Sequence, residues 1–268
     1  MSNLQRIFKA IKDEKKNYIC IVKNNKKLTY ESLYKSALTK YSFLTKFNKK
    51  KILVIVNNSS EYLEILIATI LSGNIFCPIP YFTSNQEINK TASYLKPKYI
   101  LSDKNISLEK ENKSKFINIK DIPINKYSFK INIVNNKDIA CIYYSSGTTS
   151  DPKGVIYSHN NIFYLINSIN NDFRFSNKSK HLVCLPFGHT ASINYSIFPS
   201  LFLKSSLYIA DNFLEISDKF FNLISIYKIT YIQIVPTIAI MLLKINENIS
   251  NLNMNKLKFI GCGSSTLP

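Results

Sequence analysis

The sequence contains no unbroken apolar run of the roughly 18 residues that crossing a bilayer demands. Its two most hydrophobic stretches, around Leu63 to Pro80 and Tyr231 to Leu243, are interrupted by Glu64, Gly73 and Pro78 in one and by Gln233 and Pro236 in the other. The N-terminus, MSNLQRIFKAIKDEKK, lacks the continuous apolar core of a secretory leader. Cysteine pairs are missing too: Cys20, Cys77, Cys141, Cys184 and Cys262 are an odd set, widely spaced and mostly inside apolar runs such as IACIYY and LVCLPF. They read as buried thiols in a reducing compartment, which argues against a disulfide framework. Three scattered histidines without a cysteine pair give zinc no ligand set, and no metal-ligating residue is assigned. These absences describe a cytoplasmic chain with no integral membrane segment.

Acidic charge is also scarce. Against 35 Lys and Arg stand 17 Asp and Glu, a net charge of +18, and taken alone that suggests a polyanionic partner. The lysine surplus travels with Asn and Ile along the whole chain, as A/T-rich codons would produce, and forms no single basic block. No helix-turn-helix, zinc-finger or RNA-recognition signature accompanies it. The reading is therefore no nucleic-acid partner; a basic nucleic-acid-binding protein is kept as a remote alternative that a steep salt dependence of binding would mark. What is present is core: 46% hydrophobic and 13% aromatic residues in 268 positions, enough for one large or two ordinary domains.

The order of elements is clearest from Lys51. KILVIV reads as a buried strand, Asn58 with Glu61 as a helix cap, EYLEILIATIL as a helix stopped at Gly73, and NIFCPIP as the next strand. Ser84 with Glu87 repeats the capping signal, the second helix ends before Pro97, and YILS is a third strand. Strands alternating with helices imply parallel pairing and an α/β class. FINI, DIACIYY, VIYSH, HLVCLPF, SLYIA, ITYIQIV and LKFIG read as further strands, NNIFYLINSI as a helix, and Pro236 as a first helical residue.

DIACIYY runs directly into YYSSGTTSDPKG, Tyr143 to Gly154. A hydroxyl- and glycine-rich turn after an apolar strand gathers backbone N–H groups and Ser/Thr hydroxyls in one concavity, a setting for phosphate oxygens, and Lys153 adds a point charge. It is not a Walker A loop, because Pro152 precedes Lys153 and Gly154 follows it. The plainer reading is a solvated turn that only joins two strands.

The twelve residues resemble the phosphate-loop signature of the AMP-forming adenylating enzymes: acyl- and aryl-CoA synthetases, peptide-synthetase adenylation domains and luciferases. Five further stretches match that superfamily in order: LTYESLYKSA (Leu28 to Ala37), ILSGNIFCPIP (Ile70 to Pro80), LPFGHTASIN (Leu185 to Asn194), VPT (Val235 to Thr237) and LKFIGCGSSTLP (Leu257 to Pro268). The resemblance implies the large N-terminal domain of an AMP-dependent synthetase/ligase, with stacked, mostly parallel sheets flanked by helices, truncated before the C-terminal domain. It implies one incomplete AMP-binding domain over residues 1–268, with a subdomain at 51–175 carrying the phosphate loop and a second built from 1–50 plus 180–268.

The activity implied is ATP- and Mg²⁺-dependent activation of a small carboxylic acid as an acyl-adenylate, followed by transfer to coenzyme A or a carrier-protein thiol. Ser145, Ser146, Gly147, Thr148 and Thr149 would wrap the phosphates, and Lys153 would neutralise the leaving pyrophosphate. Ser150 stands where many members carry Gly. His189 would line the channel between acyl group and adenylate, or be an ordinary helix-start histidine; amino-acid-activating members carry an Asp in this segment, and FGHTASIN has none. Ser264, Ser265 and Thr266 would lie against adenine, or simply leave a strand. His159 reads as structural and His181 as surface. The motifs that members carry further on do not occur here, so the missing C-terminal portion is an implied partner and the chain alone is expected to be catalytically incomplete; the alternative is a truncated, non-catalytic ATP-binding module.

Overall fold

Short polar residues at helix starts and short, largely apolar runs in strands account for most of the elements. The computed structural model describes residues 1–110, 112–123, 131–145, 153–245 and 251–266. Ser2 opens α1 (Asn3–Ala10): its hydroxyl accepts from the Gln5 N–H at 3.2 Å, and the Gln5 side-chain oxygen accepts from the Ser2 N–H at 3.3 Å. Strand β1 (Tyr18–Ile21) pairs antiparallel with β2 (Lys26–Thr29), and Thr29 caps α2 (Tyr30–Leu44).

The alternating run follows as read: β3 (Lys51–Ile55), α3 (Ser60–Leu71), β4 (Ile75–Pro78), α4 (Asn85–Leu95) and β5 (Tyr99–Ser102), with β3 parallel to both β4 and β5 and β6 (Lys115–Asn118) added in parallel to β5. The Ser84–Glu87 capping box is present at α4. At α3 the cap is Ser59, whose hydroxyl accepts from the Tyr62 N–H at 3.3 Å, and not Asn58 as the spacing suggested. Next come β7 (Ile139–Ser145), parallel to β4, and β8 (Lys153–Ser158), antiparallel to β7, which runs straight into α5 (His159–Asp172).

After β9 (Lys180–Val183) the chain winds through α6 (Thr190–Ser192), a π-helical turn at Ile193–Ile197 and α7 (Phe198–Leu203). Then follow β10 (Ser206–Ile209), α8 (Phe213–Ile216), α9 (Phe220–Tyr227), β11 (Tyr231–Ile234), α10 (Pro236–Leu243) with Pro236 at its first turn, and β12 (Phe259–Cys262). Helices α4, α7 and α9 each end on a left-handed lysine, Lys96, Lys204 and Lys228, with φ of 49°, 54° and 54°.

The strands form two six-stranded sheets, ordered β6-β5-β3-β4-β7-β8 and β12-β11-β9-β10-β1-β2. Alternation along β3 divides the core: Ile52 and Val54 enter the cluster between the sheets, while Leu53 and Ile55 enter the one under α4. The central cluster also takes Val183, Leu207 and Ile209 from the other sheet and residues of α1, α2, α3 and α7. Helix α3 lies deepest, with ten of its twelve residues buried, which explains why its sequence is apolar nearly all round. Among the cysteines, Cys20, Cys77, Cys141 and Cys184 are buried; Cys262 is exposed, because β12 is an edge strand.

Two histidines are buried. His159 starts α5 with its Nδ1 at 3.0 Å from the Ser2 hydroxyl, a structural role as expected. His181 is not at the surface: it is fully buried beneath the rings of Phe175 and Tyr231, whose centroids lie 4.6 and 5.3 Å from its own. Burial pushes His159 down to about 4 and His181 down to about 3, both from 6.5. The unfolded chain therefore binds those protons first, so the stability that depends on neutral rings is complete above pH 6.5 and is lost as pH falls. Burial pushes the Glu64 carboxyl the other way, from 4.5 up to about 7, so its contribution is present below pH 4.5 and is lost as pH rises through 7.

Replacing His181→Phe is expected to flatten the fall in unfolding free energy between pH 6.5 and 4.5, measured by urea denaturation; a slope equal to that of the unaltered chain would refute it. Replacing Ser84→Ala, which removes the exposed α4 cap, is expected to cost about 1 kcal/mol in the same assay.

Candidate functional site

Strands β7 and β8 pair antiparallel, with Ser145 opposite Lys153 at the end where the chain passes from one strand to the other. The residues that join them, Ser146, Gly147, Thr148 and Thr149 with Ser150, lie outside the described residues. Lys153 is exposed, and strand alternation puts it on one face of β8 with Val155 and Tyr157.

That face borders a cleft of about 410 Å³, lined by Pro80, Tyr143, Tyr144, Val155, Tyr157, Gly188, His189 and Thr190. Its floor is aromatic: the rings of Tyr143 and Tyr157 meet edge to face, with centroids 5.1 Å apart. Burial pushes the Tyr143 phenol far above its ordinary range, so it stays a neutral hydroxyl. Among the described residues no carboxylate lines the cleft.

His189 stands exposed on the facing wall as the cap of α6. Its Nδ1 accepts from the Ala191 N–H at 3.4 Å, so the neutral ring carries its proton on Nε2. The turn before it is tight. A Cβ on Gly188 would fall 2.2 Å from the Ile79 carbonyl carbon and 2.3 Å from the Pro80 nitrogen, a contact with backbone that admits no side chain. Asn58, read from sequence as a helix cap, instead reaches this segment, donating to the carbonyls of Leu185 and Ala210 and accepting from the Phe187 N–H. Sequence reasoning missed that role, and only the presence of a second small polar residue beside Asn58 hinted that the cap had two candidates.

Beyond His189, the end of α6 buries the side chain of Ser192 and the π-helical turn those of Asn194 and Ser196, and their side-chain oxygens have no hydrogen-bond partner among the described residues. π-turns of this kind recur at functional sites. Ser264, Ser265 and Thr266 follow β12 and are exposed, with Ser264 at a φ of 82°. They leave the other sheet from the one that carries Lys153, and neither they nor Lys153 line the cleft that holds His189. Close by, Gly261 leaves room for Gln233, whose side-chain oxygen accepts from the Tyr231 hydroxyl at 2.5 Å and would lie 2.3 Å from an added Cβ. Among the described residues no group of three or more acidic, His or Cys side chains could hold a metal ion, and no helix is long and apolar enough to cross a membrane.

The sequence pattern described as AMP-binding enzyme matches residues 8–268. The D-alanine–D-alanyl carrier protein ligase of Lactococcus lactis is 28% identical over 75% of this chain and 42% of its own length. The 4-coumarate-CoA ligase 1 of Narcissus pseudonarcissus is 25% identical over 81% of this chain and 43% of its own. The chain thus spans less than half the length of either relative. Among solved structures, McyG A-PCP complexed with phenylalanyl-adenylate superposes with a TM-score of 0.85 at 18% identity, over 98% of this chain and 46% of that one. The o-succinylbenzoate CoA synthetase of Bacillus subtilis, in complex with its acyl-adenylate intermediate, gives 0.83 at 18% identity, over 99% and 69%. At such identity these superpositions establish the fold, two mostly parallel sheets flanked by helices as in the N-terminal domains of adenylating enzymes. With a sequence match running from residue 8 to residue 268, the chain belongs to the AMP-binding enzyme family and represents its N-terminal part.

Proposed function

We propose that this chain is the ATP-binding front part of an enzyme that converts a carboxylic acid to an acyl-adenylate and passes the acyl group to a thiol, that of coenzyme A or of a carrier protein. The observation that carries the reading is the placement of Lys153. It sits at the tip of β8 opposite Ser145, on the strand face that continues through Val155 and Tyr157 into the cleft facing His189.

In this reaction a carboxylate attacks the α-phosphorus of ATP and pyrophosphate leaves. Two anions must meet, so fixed positive charge and N–H donors supply much of the rate. Lys153 supplies the charge on the pyrophosphate side; Ser145, Ser146, Gly147, Thr148 and Thr149 supply donors to the phosphates. Mg²⁺ carried on the triphosphate neutralises it further, since this ion keeps water and substrate phosphates among its ligands. His189, with its proton on Nε2, offers a donor to the oxygen at the junction of acyl group and phosphate. Ser264, Ser265 and Thr266 supply the backbone against which adenine lies.

Among the described residues the cleft presents phenols, a histidine and no carboxylate, which supports an acid without an α-ammonium group. The likeness to a D-alanine-activating ligase supports the opposite choice. A panel containing D-alanine and 4-coumarate, scored by ATP–pyrophosphate exchange on the full-length protein, decides between them: preference for D-alanine would overturn the choice of acid while leaving the nucleotide assignment standing.

Calorimetry with Mg–ATP is expected to show binding by the chain and a loss of about 10- to 100-fold for Lys153→Ala, the effect of deleting one charge-assisted contact. Unchanged affinity in a folded variant would remove Lys153 from the site.

A further inference from the structure

Phe187, two residues before His189, is held at three points by the start of one helix. Its N–H donates to Asn58 Oδ1 at 2.8 Å, its carbonyl accepts from the Tyr62 hydroxyl at 2.8 Å, and its ring meets that of Tyr62 edge to face at 5.1 Å. Asn58 also donates from Nδ2 to the carbonyls of Leu185 at 2.9 Å and Ala210 at 3.0 Å. Asn58 is 4% exposed and Tyr62 is fully buried.

Asn58 comes from the β3–α3 connection and Tyr62 from the first turn of α3, beside one sheet, and all of the backbone groups they grip follow β9 and β10 of the other. An ordinary packing contact would not engage both backbone polar atoms of one residue, Phe187, and the carbonyls of two separate strand exits. Downstream the restraint continues: Gly188 lies against the Ile79–Pro80 backbone, and the His189 N–H closes the turn on the Pro186 carbonyl at 3.0 Å. Restraints thus fall on Leu185, Phe187, Gly188 and His189 in turn.

We propose that Asn58 and Tyr62 are positioning residues for His189, fixing the Leu185–Phe187 segment so that the imidazole faces the cleft with Nδ1 occupied by the α6 cap and Nε2 bearing the proton. The proposal rests on the role given to His189 above, but the clamp itself is measurable without any turnover. Removing the Tyr62 hydroxyl leaves the Phe187 carbonyl buried and unpaired, whereas truncating Asn58 leaves two carbonyls and an N–H unpaired, a larger insult.

The three histidines report separately. His159 and His181 are buried and serve as internal standards of the fold, while His189 is exposed. In ¹H–¹⁵N spectra of the ¹⁵N-histidine-labelled 268-residue chain, the unaltered protein is expected to show His189 as the Nε2–H tautomer. Tyr62→Phe is expected to move the His189 signals toward a mixture of tautomers and to change its rate of modification by diethyl pyrocarbonate about fivefold, the weight of one buried hydrogen bond. The His159 and His181 signals should stay in place.

A folded Tyr62→Phe chain with unchanged His189 tautomer and rate overturns the proposal, and so does an equal disturbance of all three histidines, which would mark a general packing role. Asn58→Ala is the second variant; where it folds, a larger His189 shift than in Tyr62→Phe is expected, and a smaller one counts against the clamp. Mg–ATP binding by the unaltered chain separates the two levels: absence of binding together with the His189 shift sinks the functional reading and leaves the clamp intact.

Discussion

Two sheets share one buried face, and α3 lies between them with almost no side turned to water. That constraint organises the rest. A helix enclosed on all sides is apolar on all sides, and whatever polar groups remain at its start must find partners inside the protein, because burying a donor or acceptor without one costs about 1–3 kcal/mol. Asn58 and Tyr62 meet that requirement by bonding to the opposite sheet. The same contacts that satisfy buried polar atoms therefore also determine where the cleft wall stands.

Electrostatics works on a different scale. The surplus of positive charge is spread over the surface, where it is screened within about 8–10 Å at physiological ionic strength. Lys153 differs from the other lysines by its place at the tip of a hairpin opposite Ser145. Long-range charge can raise the encounter rate of any polyanion, while the local placement of a charge decides where a polyanion would rest. A net charge of +18 is thus compatible with a small phosphorylated ligand as well as with a nucleic acid, and the distinction lies in local placement.

The alternation from β3 to β5 was legible because parallel strands covered on both faces are short unbroken apolar runs, and because Ser84, Glu87 and Pro97 punctuate them. Asn58 was misread for a local reason: the capping rule sees only spacing, and Ser59 satisfied it one residue later, releasing Asn58 for a contact 127 residues away. His181 looked superficial because it heads a strand next to Lys180, yet β9 is flanked by β10 and β11 and His181 is covered by the rings of Phe175, from the turn before the strand, and Tyr231, from the neighbouring strand. Cys262 sits in an apolar-looking run but on an edge strand, so the run predicted burial that the sheet order does not provide. His189 could be singled out from its motif; the turn that holds it could not, since its restraints arise only when the two sheets meet.

The left-handed lysines that end α4, α7 and α9 carry a further meaning. Glycine takes that backbone conformation freely, while a residue with a Cβ gives up roughly 1 kcal/mol there. In a chain with 6 glycines these corners are occupied by lysine instead. Mild conformational tension is thereby held at three helix ends, leaving Lys96, Lys204 and Lys228 as the places where a more heat-resistant version of this domain is most simply made.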